Sequence, residues 1–266
     1  MTSNDIVYDM DLVSQNAPLI LNITNYAAMN VTANALLALG AKPIMANAKE
    51  EIAEVTKITN SLVINIGTPS TEWAESMLLA GKAALAKGTP IVFDPVGVET
   101  TSFRREIAKK IISECRPTII RGNASEISTL NSHAPVKDAV EPNSDALSAL
   151  TDAKALATRT GATVIVSGAI DYITDGQQTI SLGYGAPIMK RINIMGSTAT
   201  AICAAFAAVD NHSFNAATAA MAIIGIAGRA AAKEVAGPGN FMAHFVDFLY
   251  KMSTHEFAFD VRFRVL

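Results

Sequence analysis

The sequence predicts an α/β protein in which helices flank a mostly parallel sheet. Short apolar runs rich in β-branched residues recur along the chain, and a segment of helical composition follows each of them. Because parallel strands need long crossover connections, this alternation indicates a layered α/β/α architecture. The polar residues that end the runs are expected at one edge of the sheet, where ligands bind in such folds. The chain has 266 residues, and we expect residues 1–266 to form a single domain.

The main elements follow from this pattern in chain order. The predicted strands are LVINIGT (62–68), TPIVFDPV (89–96), PTIIRGN (117–123) and TVIVSGA (163–169). The predicted helices are Thr71–Lys87, Ser102–Glu114, Asp145–Thr160 and Ser197–Ala208. The apolar stretch Ala216–Gly228 is too short and too rich in alanine for a membrane span, so we expect a buried helix there.

The remaining segments predict an antiparallel part of the sheet. Asp175-Gly176 separates two alternating runs within DYITDGQQTISLGYG (171–185), which indicates an antiparallel hairpin at the sheet edge. The final residues, FAFDVRFRVL (257–266), alternate apolar with polar or small side chains and predict a terminal strand. Residues 134–145 have the most loop-like composition.

Composition and charge exclude several classes of protein. Half of the residues are hydrophobic and only 17% are charged, which predicts a large core or an oligomer interface. The net charge of −3 argues against nucleic-acid binding. The acidic, polar start MTSNDIVYDMDLV carries no targeting signal, and the two cysteines have no partner motif. We therefore expect a cytoplasmic protein with no membrane association.

Three polar clusters at predicted element ends point to phosphate chemistry. In KRINIMGSTATAICAAF (190–206), the turn Gly196-Ser197-Thr198 opens a charge-free helix, whose first backbone N–H groups and dipole favour an anion. Asp94 ends one strand, and Arg121 to Glu126 follow another. Each feature alone is also consistent with an ordinary helix cap, a turn or a surface salt bridge. Together they predict one phosphate-handling cleft.

Several longer motifs resemble the hydroxyethylthiazole kinase family, thiamin-salvage enzymes of the ribokinase-like superfamily. The motifs are TANALLALGAKPIM (32–45), INIGT (64–68), FDPVGV (93–98), IIRGNASEI (119–127), VSGAIDYITDG (166–176) and AGPGNF (236–241). The resemblance implies a ribokinase-like fold and ATP-dependent phosphorylation of the primary alcohol of 4-methyl-5-(2-hydroxyethyl)thiazole. It also implies Mg²⁺ and a homotrimer with active sites at subunit interfaces.

The resemblance also implies a role for each matching residue. The catalytic positions are Ser197, Gly196 and Asp94; the ATP side is Arg121, Asn123, Ser167 and Gly168; the metal side is Asp94 and Glu126; and the substrate side is Asn25, Met45, Gly67, Thr68 and Ile194. Structural roles stay open for several of them: Asn123 as a helix cap, Glu126 as a first-turn charge, and Met45 as a core residue.

The chain departs from the family pattern around the expected anion hole. The family usually reads Gly-x-Gly-Cys where this chain has Ile194, Met195, Gly196 and Ser197, and Tyr26 and Glu99 also differ from the usual residues. A serine hydroxyl is a poor general base at neutral pH, so Ser197→Cys would accelerate the reaction if Ser197 stands at the position of a base. Three interpretations remain open: a thiazole-alcohol kinase, a kinase of another small alcohol, and a non-catalytic trimer that binds thiazole or nucleotide.

Overall fold

The computed structural model describes residues 2–132, 145–259 and 261–266, and within them nine strands form one sheet. The strands are β1 (Leu19–Ile23), β2 (Lys42–Met45), β3 (Ser61–Asn65), β4 (Ile91–Asp94), β5 (Ile119–Gly122), β6 (Thr163–Val166), β7 (Asp171–Thr174), β8 (Thr179–Leu182) and β9 (Arg264–Val265). Their order across the sheet is β2-β1-β3-β4-β5-β6-β7-β8-β9. The pairs from β2 to β6 are parallel, and those from β6 to β9 are antiparallel.

Helices cover both faces of this sheet. They are α1 (Ser3–Asn16), α2 (Met29–Ala38), α3 (Lys49–Ile58), α4 (Thr71–Lys87), α5 (Ser102–Lys110), α6 (Ala124–Asn131), α7 (Leu150–Thr160), α8 (Met195–Ala207), α9 (Ser213–Glu234) and α10 (Phe241–Ser253). Side chains alternate between the faces along each strand. Ile20, Val63 and Val92 join the core beneath α1, α2 and α8–α10. Their neighbours Leu21 and Leu62 join the core beneath α3–α7. The layered α/β/α architecture predicted from the sequence is confirmed.

The predicted elements agree with the structure in type, and most of them differ at their ends. Helix α4 has the predicted bounds because Ser70 caps its start and Gly88, at φ +75°, ends it. Helix α5 ends at Lys110, where a five-residue π-helical turn, Ile111–Cys115, continues it. The four strands are shorter than the predicted runs, because residues at one or both ends of each run lie outside the strand. Helix α8 starts at Met195, so Gly196 and Ser197 lie inside its first turn.

Elements at both ends of the chain escaped the sequence pattern. These are α1, β1, α2, β2, α3 and α10. The edge strand β2 is only partly buried and contains Pro43, so it lacks the apolar character of a central strand. Of the predicted loop 134–145, only Asp145 belongs to the described residues.

The antiparallel part of the sheet forms as predicted, with one addition at its edge. Strands β7 and β8 pair as the predicted hairpin. Their connection contains Gly176 at φ +95°, and Asp175 Oδ1 accepts the backbone N–H groups of Gln177 and Gln178 at 2.9 Å each. The short terminal strand β9 pairs with β8, so β9 and not the hairpin forms this edge.

The predicted buried helix is α9. Among the described residues it is the one helix long and apolar enough to cross a membrane, yet 83% of its most apolar window is buried inside the fold. It packs against α8, α10 and the antiparallel strands. Its apolar length therefore serves the core.

Gly81 provides a test of how closely the core is packed. A Cβ atom at Gly81 in α4 would stand 2.3 Å from Cys115 Sγ. We predict that Gly81→Ala lowers the free energy of unfolding by about 1–3 kcal/mol, the usual cost of overpacking. Gly183→Ala is the matched control, because no atom lies within 4 Å of the Cβ built there. Urea unfolding measures both variants, and equal stability of the two would contradict the close packing. Adding Cys115→Ala to Gly81→Ala should recover part of the loss.

Candidate active site

The polar ends of adjacent strands meet beneath the start of one helix. Asn65 at the end of β3 is in register with Asp94 at the end of β4. Helix α8 packs across β1, β3 and β4, which brings Ser197 in its first turn over these side chains. The sheet topology thus places three chain-distant residues in one buried cluster, as expected at the carboxyl ends of parallel strands.

Asp94 is a fully buried carboxylate with one satisfied oxygen. Its Oδ2 accepts from Asn65 Nδ2 at 2.7 Å and from Thr200 Oγ1 at 2.9 Å. Its Oδ1 has no hydrogen-bond partner among the described residues, and Arg121 Nη1 lies 4.0 Å away. Burial raises the pKa of Asp94 to about 7; Arg121 opposes this shift and Glu126 adds to it. The unpaired Oδ1 is available to a cation or to a donor on a ligand.

Two asparagines connect Asp94 with Ser197. The Nδ2 groups of Asn25 and Asn65 each donate to Ser197 Oγ at 3.0 Å, and Asn25 Nδ2 also donates to Asn65 Oδ1 at 3.1 Å. The backbone N–H of Gly67 donates to Asn65 Oδ1 at 2.9 Å. A Cβ atom at Gly67 would stand 2.9 Å from that same Oδ1, so a glycine allows the loop to approach the pair. We call Asn25 and Asn65 the amide ladder.

Arg121 lies between two carboxylates and the start of α8. Its Nη2 donates to Ser167 Oγ, and its charge partly opposes the burial that raises the pKa of both Asp94 and Asp171. A Cβ atom at Gly196 would stand 2.5 Å from Arg121 Nη1, so only glycine lets the guanidinium lie against the first turn of the helix. The predicted grouping of Arg121, Ser167 and Gly196 is present in the structure.

The first turn of α8 offers unpaired donors. No acceptor for the backbone N–H groups of Gly196 and Ser197 is found within the described residues, and no side chain caps the helix. Ile194, the N-cap, has φ −104° and ψ 3°, a conformation open to a β-branched residue. The change from the glycine usual in the family therefore introduces no backbone strain, although the side chain still occupies space.

Glu126 and Asn123 have the structural role that was left open from the sequence. Asn123 Oδ1 accepts from the backbone N–H of Glu126 at 2.9 Å, and Glu126 Oε2 accepts from that of Asn123 at 2.7 Å, which forms a capping box at the start of α6. Glu126 Oε1 accepts from Gly97 N at 3.0 Å. This bond ties α6 to the loop that follows Asp94.

Arg104 holds together the loops after β3 and β4. Its guanidinium donates to the carbonyl oxygens of Ile66 at 2.8 Å, Val96 at 2.5 Å and Gly67 at 2.9 Å. Three carbonyls on two loops thus converge on one side chain from α5. Arg104 fixes the separation between the two loops that flank the amide ladder.

The substrate-side residues are only partly connected to this cluster. Asn25 and Gly67 belong to it, whereas Thr68 is exposed and Met45 ends the edge strand β2 outside both hydrophobic cores. Tyr26, which is 68% exposed, packs its ring 4.8 Å from that of Trp73, centroid to centroid. An aromatic pair therefore stands beside Asn25 where the family usually has an acidic residue.

Sequence reasoning missed several members of the cluster. The missed residues are Asn65, Thr200, Arg104 and Asp171. In the structure, Asp171 Oδ1 accepts from Gly168 N at 2.9 Å, and burial raises the pKa of Asp171 to about 6. Asn65 did carry a signal, since it is a polar residue inside the apolar run INIGT and is only 1% exposed. A buried amide needs partners, which is the reason to examine such a position.

The raised pKa of Asp94 makes the stability of the protein depend on pH. Because the pKa of about 7 lies above the ordinary value of 3.8, the folded state binds the extra proton between these pH values, and stability falls as pH rises through that range. Asp94→Asn removes this titration. We predict that the stability of Asp94→Asn relative to the parent increases between pH 5 and pH 8, as measured by urea unfolding.

The exposed Asp247 supplies the control for this comparison. Asp247→Asn shows whether the loss of an exposed carboxylate alone changes the stability. A constant difference between Asp94→Asn and the parent across the same range would contradict the raised pKa.

Comparison with known proteins finds similarity over nearly the whole chain. A sequence model of the hydroxyethylthiazole kinase family matches residues 10–255. A hydroxyethylthiazole kinase of Nitratidesulfovibrio vulgaris is 45% identical over 257 residues, which cover 97% of this chain and 95% of that protein. The solved structure of a hydroxyethylthiazole kinase from Pyrococcus horikoshii superposes with a TM-score of 0.88 at 35% identity, over 99% of each chain.

A more distant structure supports the fold. A ribokinase-like superfamily protein from Enterococcus faecalis superposes with a TM-score of 0.64 at 14% identity, over 92% of this chain and 94% of that one. The expected ribokinase-like architecture is thereby confirmed. The family match spans most of the chain and includes all the strand ends that form the polar cluster. The chain belongs to the hydroxyethylthiazole kinase family.

Proposed function

We propose that this chain is a kinase that transfers the γ-phosphoryl group of ATP to the primary alcohol of 4-methyl-5-(2-hydroxyethyl)thiazole, in thiamin salvage. The observation that carries the proposal is the cluster in which Asp94, Arg121 and the start of α8 face one another. A carboxylate with an unpaired oxygen, a guanidinium and free helix N–H groups are the groups that phosphoryl transfer requires.

Each side of the cluster takes one part of the reaction. Arg121 and the N–H groups of Gly196 and Ser197 bind the phosphates, with Ser167, Gly168 and Asn123 on the nucleotide side. Asn25, Gly67 and Met45 line the acceptor side, together with Thr68 and Ile194. The thioether of Met45 and the aromatic pair of Tyr26 and Trp73 suit a flat heteroaromatic ring. Catalysis then depends on positioning the alcohol in line with the phosphorus.

The donor set at Asp94 also fits Mg²⁺. Magnesium usually keeps several waters and takes one or two carboxylates besides substrate phosphates. The unpaired Oδ1 of Asp94 is a suitable oxygen ligand, whereas both oxygens of Glu126 accept backbone N–H groups, so Glu126 suits the water shell of the ion. No group of three or more His, Cys, Asp or Glu side chains forms a metal site in the described chain, in keeping with an ion held largely by phosphates and water. When bound, Mg²⁺ neutralises charge on the phosphates.

We further propose a homotrimer in the cytoplasm, with active sites at the subunit interfaces. Leu37 on α2 and Ile58 on α3 are 58% and 64% exposed, and α2 packs against the edge strand β2. Met45 ends the same strand, so an interface at β2 would adjoin the acceptor side. An uncovered sheet edge with apolar neighbours is typical of an interface. Both cysteines are free and buried, which suits a reducing compartment.

Turnover of Asp94 variants tests the proposed activity. We predict that the parent releases ADP in the presence of the thiazole alcohol and Mg²⁺, and that Asp94→Asn loses most of this turnover, because it removes the carboxylate at the phosphates. Asp247→Asn, an exposed control, should keep it. Activity only with other vitamin-pathway alcohols would favour the second interpretation. Binding of thiazole or nucleotide without turnover would favour the non-catalytic one.

Mass measurement tests the proposed assembly. Light scattering at micromolar concentration should give three times the chain mass of 28.0 kDa. Ile58→Lys should shift the protein toward smaller species if this face is the interface, since it places a charge in an apolar contact. Exposed Lys57→Glu on the same helix is the control for a simple change of surface charge. A monomeric parent would refute the shared active site.

A further inference from the structure

The hydrogen bonds around Ser197 determine what its hydroxyl group can do. A serine hydroxyl has one hydrogen to donate and two lone pairs that accept. Asn25 Nδ2 and Asn65 Nδ2 both donate to Ser197 Oγ at 3.0 Å. Both lone pairs are therefore in use, and the oxygen has no free pair with which to take a proton from an alcohol.

The orientation of both amides is fixed independently of Ser197. Asn25 Oδ1 accepts from Ala28 N at 3.0 Å, and Asn65 Oδ1 accepts from Gly67 N at 2.9 Å. Asn65 Nδ2 also donates to Asp94 Oδ2 at 2.7 Å. If the amide were turned around, its carbonyl oxygen would face this carboxylate oxygen, and the two acceptors would repel each other. The NH₂ groups must consequently face Ser197.

The hydroxyl hydrogen of Ser197 is the unused part of this arrangement. No acceptor for it is recorded in the described residues, while the N–H groups of Gly196 and Ser197 beside it are also unpaired. Ser197 is 8% exposed, so bulk water has little access to it. The Ser197 O–H and these two N–H groups thus have no acceptor within the described protein, and the buried Thr198 hydroxyl in the same turn has no partner either.

We propose that Ser197 is a hydrogen-bond donor to the transferring phosphoryl group, held in that role by the amide ladder, and not a general base. This inference rests on the proposed kinase function and states how the anion hole of this chain works. The ladder supplies both hydrogen bonds that the oxygen accepts, so its own O–H is directed to a ligand. The ligand class is a phosphoryl group that carries negative charge on its oxygens.

The reaction then proceeds without a protein base at this position. The alcohol oxygen forms a bond to the γ-phosphorus while the bond from phosphorus to the β–γ bridging oxygen breaks, and ADP leaves with that electron pair. The proton of the alcohol passes to an oxygen of the transferred group and then to solvent. Ser197 keeps its own proton throughout. Such a route suits phosphoryl transfer, in which positioning and charge stabilisation matter more than proton removal.

Three substitutions at Ser197 separate a donor from a base. A donor role predicts that Ser197→Ala slows single-turnover phosphorylation at saturating ATP by about a hundredfold, the lower end of the loss expected for one donor in an oxyanion hole. Ser197→Thr, which keeps an O–H, should stay closer to the parent. Ser197→Cys should be slower than the parent because a thiol is a weak donor. This is opposite to the acceleration expected from the sequence for a residue at the position of a base.

The dependence on pH gives a second readout. For a donor, the ratio of the Ser197→Ala rate to the parent rate stays constant between pH 6 and pH 9. For a base, Ser197→Cys exceeds the parent, and its rate rises as the thiol ionises. A Ser197→Cys variant faster than the parent, or a Ser197→Ala variant equal to it, would overturn the proposal.

Asn25→Asp tests the part assigned to the ladder. It preserves the side-chain shape but gives the Ser197 hydroxyl an acceptor inside the protein in place of a donor. We expect this variant to be as slow as Ser197→Ala, and the double variant to be little slower than either. If the rate losses of the two single variants multiplied in the double variant, Asn25 and Ser197 would act independently, which would contradict the proposal. Thermal unfolding of every variant identifies loss of fold.

A binding measurement separates this proposal from the proposed function. ADP with aluminium fluoride and Mg²⁺ mimics the transferring group without requiring an alcohol. Calorimetry should show that Ser197→Ala binds this mimic about tenfold more weakly than the parent and Ser197→Thr do. If the parent fails to phosphorylate the thiazole alcohol but this difference is found, the acceptor assignment is wrong and the donor role stands. Equal binding by all three would refute the donor role.

Discussion

The buried carboxylate of Asp94 is the constraint on which the rest of the cluster depends. A charged group without solvent is costly unless hydrogen bonds and opposite charges compensate it. Asn65 and Thr200 satisfy one oxygen, Arg121 faces the other at 4.0 Å, and the pKa still stays near 7. Compensation is therefore incomplete in the described protein, which leaves Asp94 ready for a further positive partner. The amide of Asn65 also donates to Ser197 Oγ and so connects Asp94 with the start of α8.

On the nucleotide side, two positive groups lie next to each other. The guanidinium of Arg121 lies against the N-terminal turn of α8, so two positive groups are adjacent, and a phosphate between them would relieve the repulsion. The carboxylates of Asp94, whose Oδ1 lies 4.0 Å from Nη1, and of Asp171 offset part of the positive charge. Around this centre Arg104 ties the loops after β3 and β4, and Glu126 ties the second of these loops to α6. Rigid loops of this kind keep catalytic groups in place before the ligand arrives.

Much of the fold and part of the site could be predicted from the sequence. The alternation of apolar runs and helices predicted the sheet, and the position of Asp94 and Arg121 at strand ends predicted their proximity. The amide ladder could not be predicted, because Asn25 and Asn65 lie 40 residues apart and meet only through strand order. Nor could the sequence tell that both lone pairs of Ser197 are occupied, since this depends on the rotamers of three side chains. The weakly apolar edge strand β2 was missed for lack of a burial pattern.

The hydrogen bond from Asn65 stabilises the buried charge of Asp94. A double-mutant cycle of Asn65→Ala and Asp94→Asn, measured as free energies of unfolding at pH 8, tests this stabilisation. Asn65→Ala should cost about 1–2 kcal/mol more in the parent than in the Asp94→Asn background, because a hydrogen bond to a charged group is worth more than one to an amide. Equal costs in the two backgrounds would show that Asn65 does not support the charge.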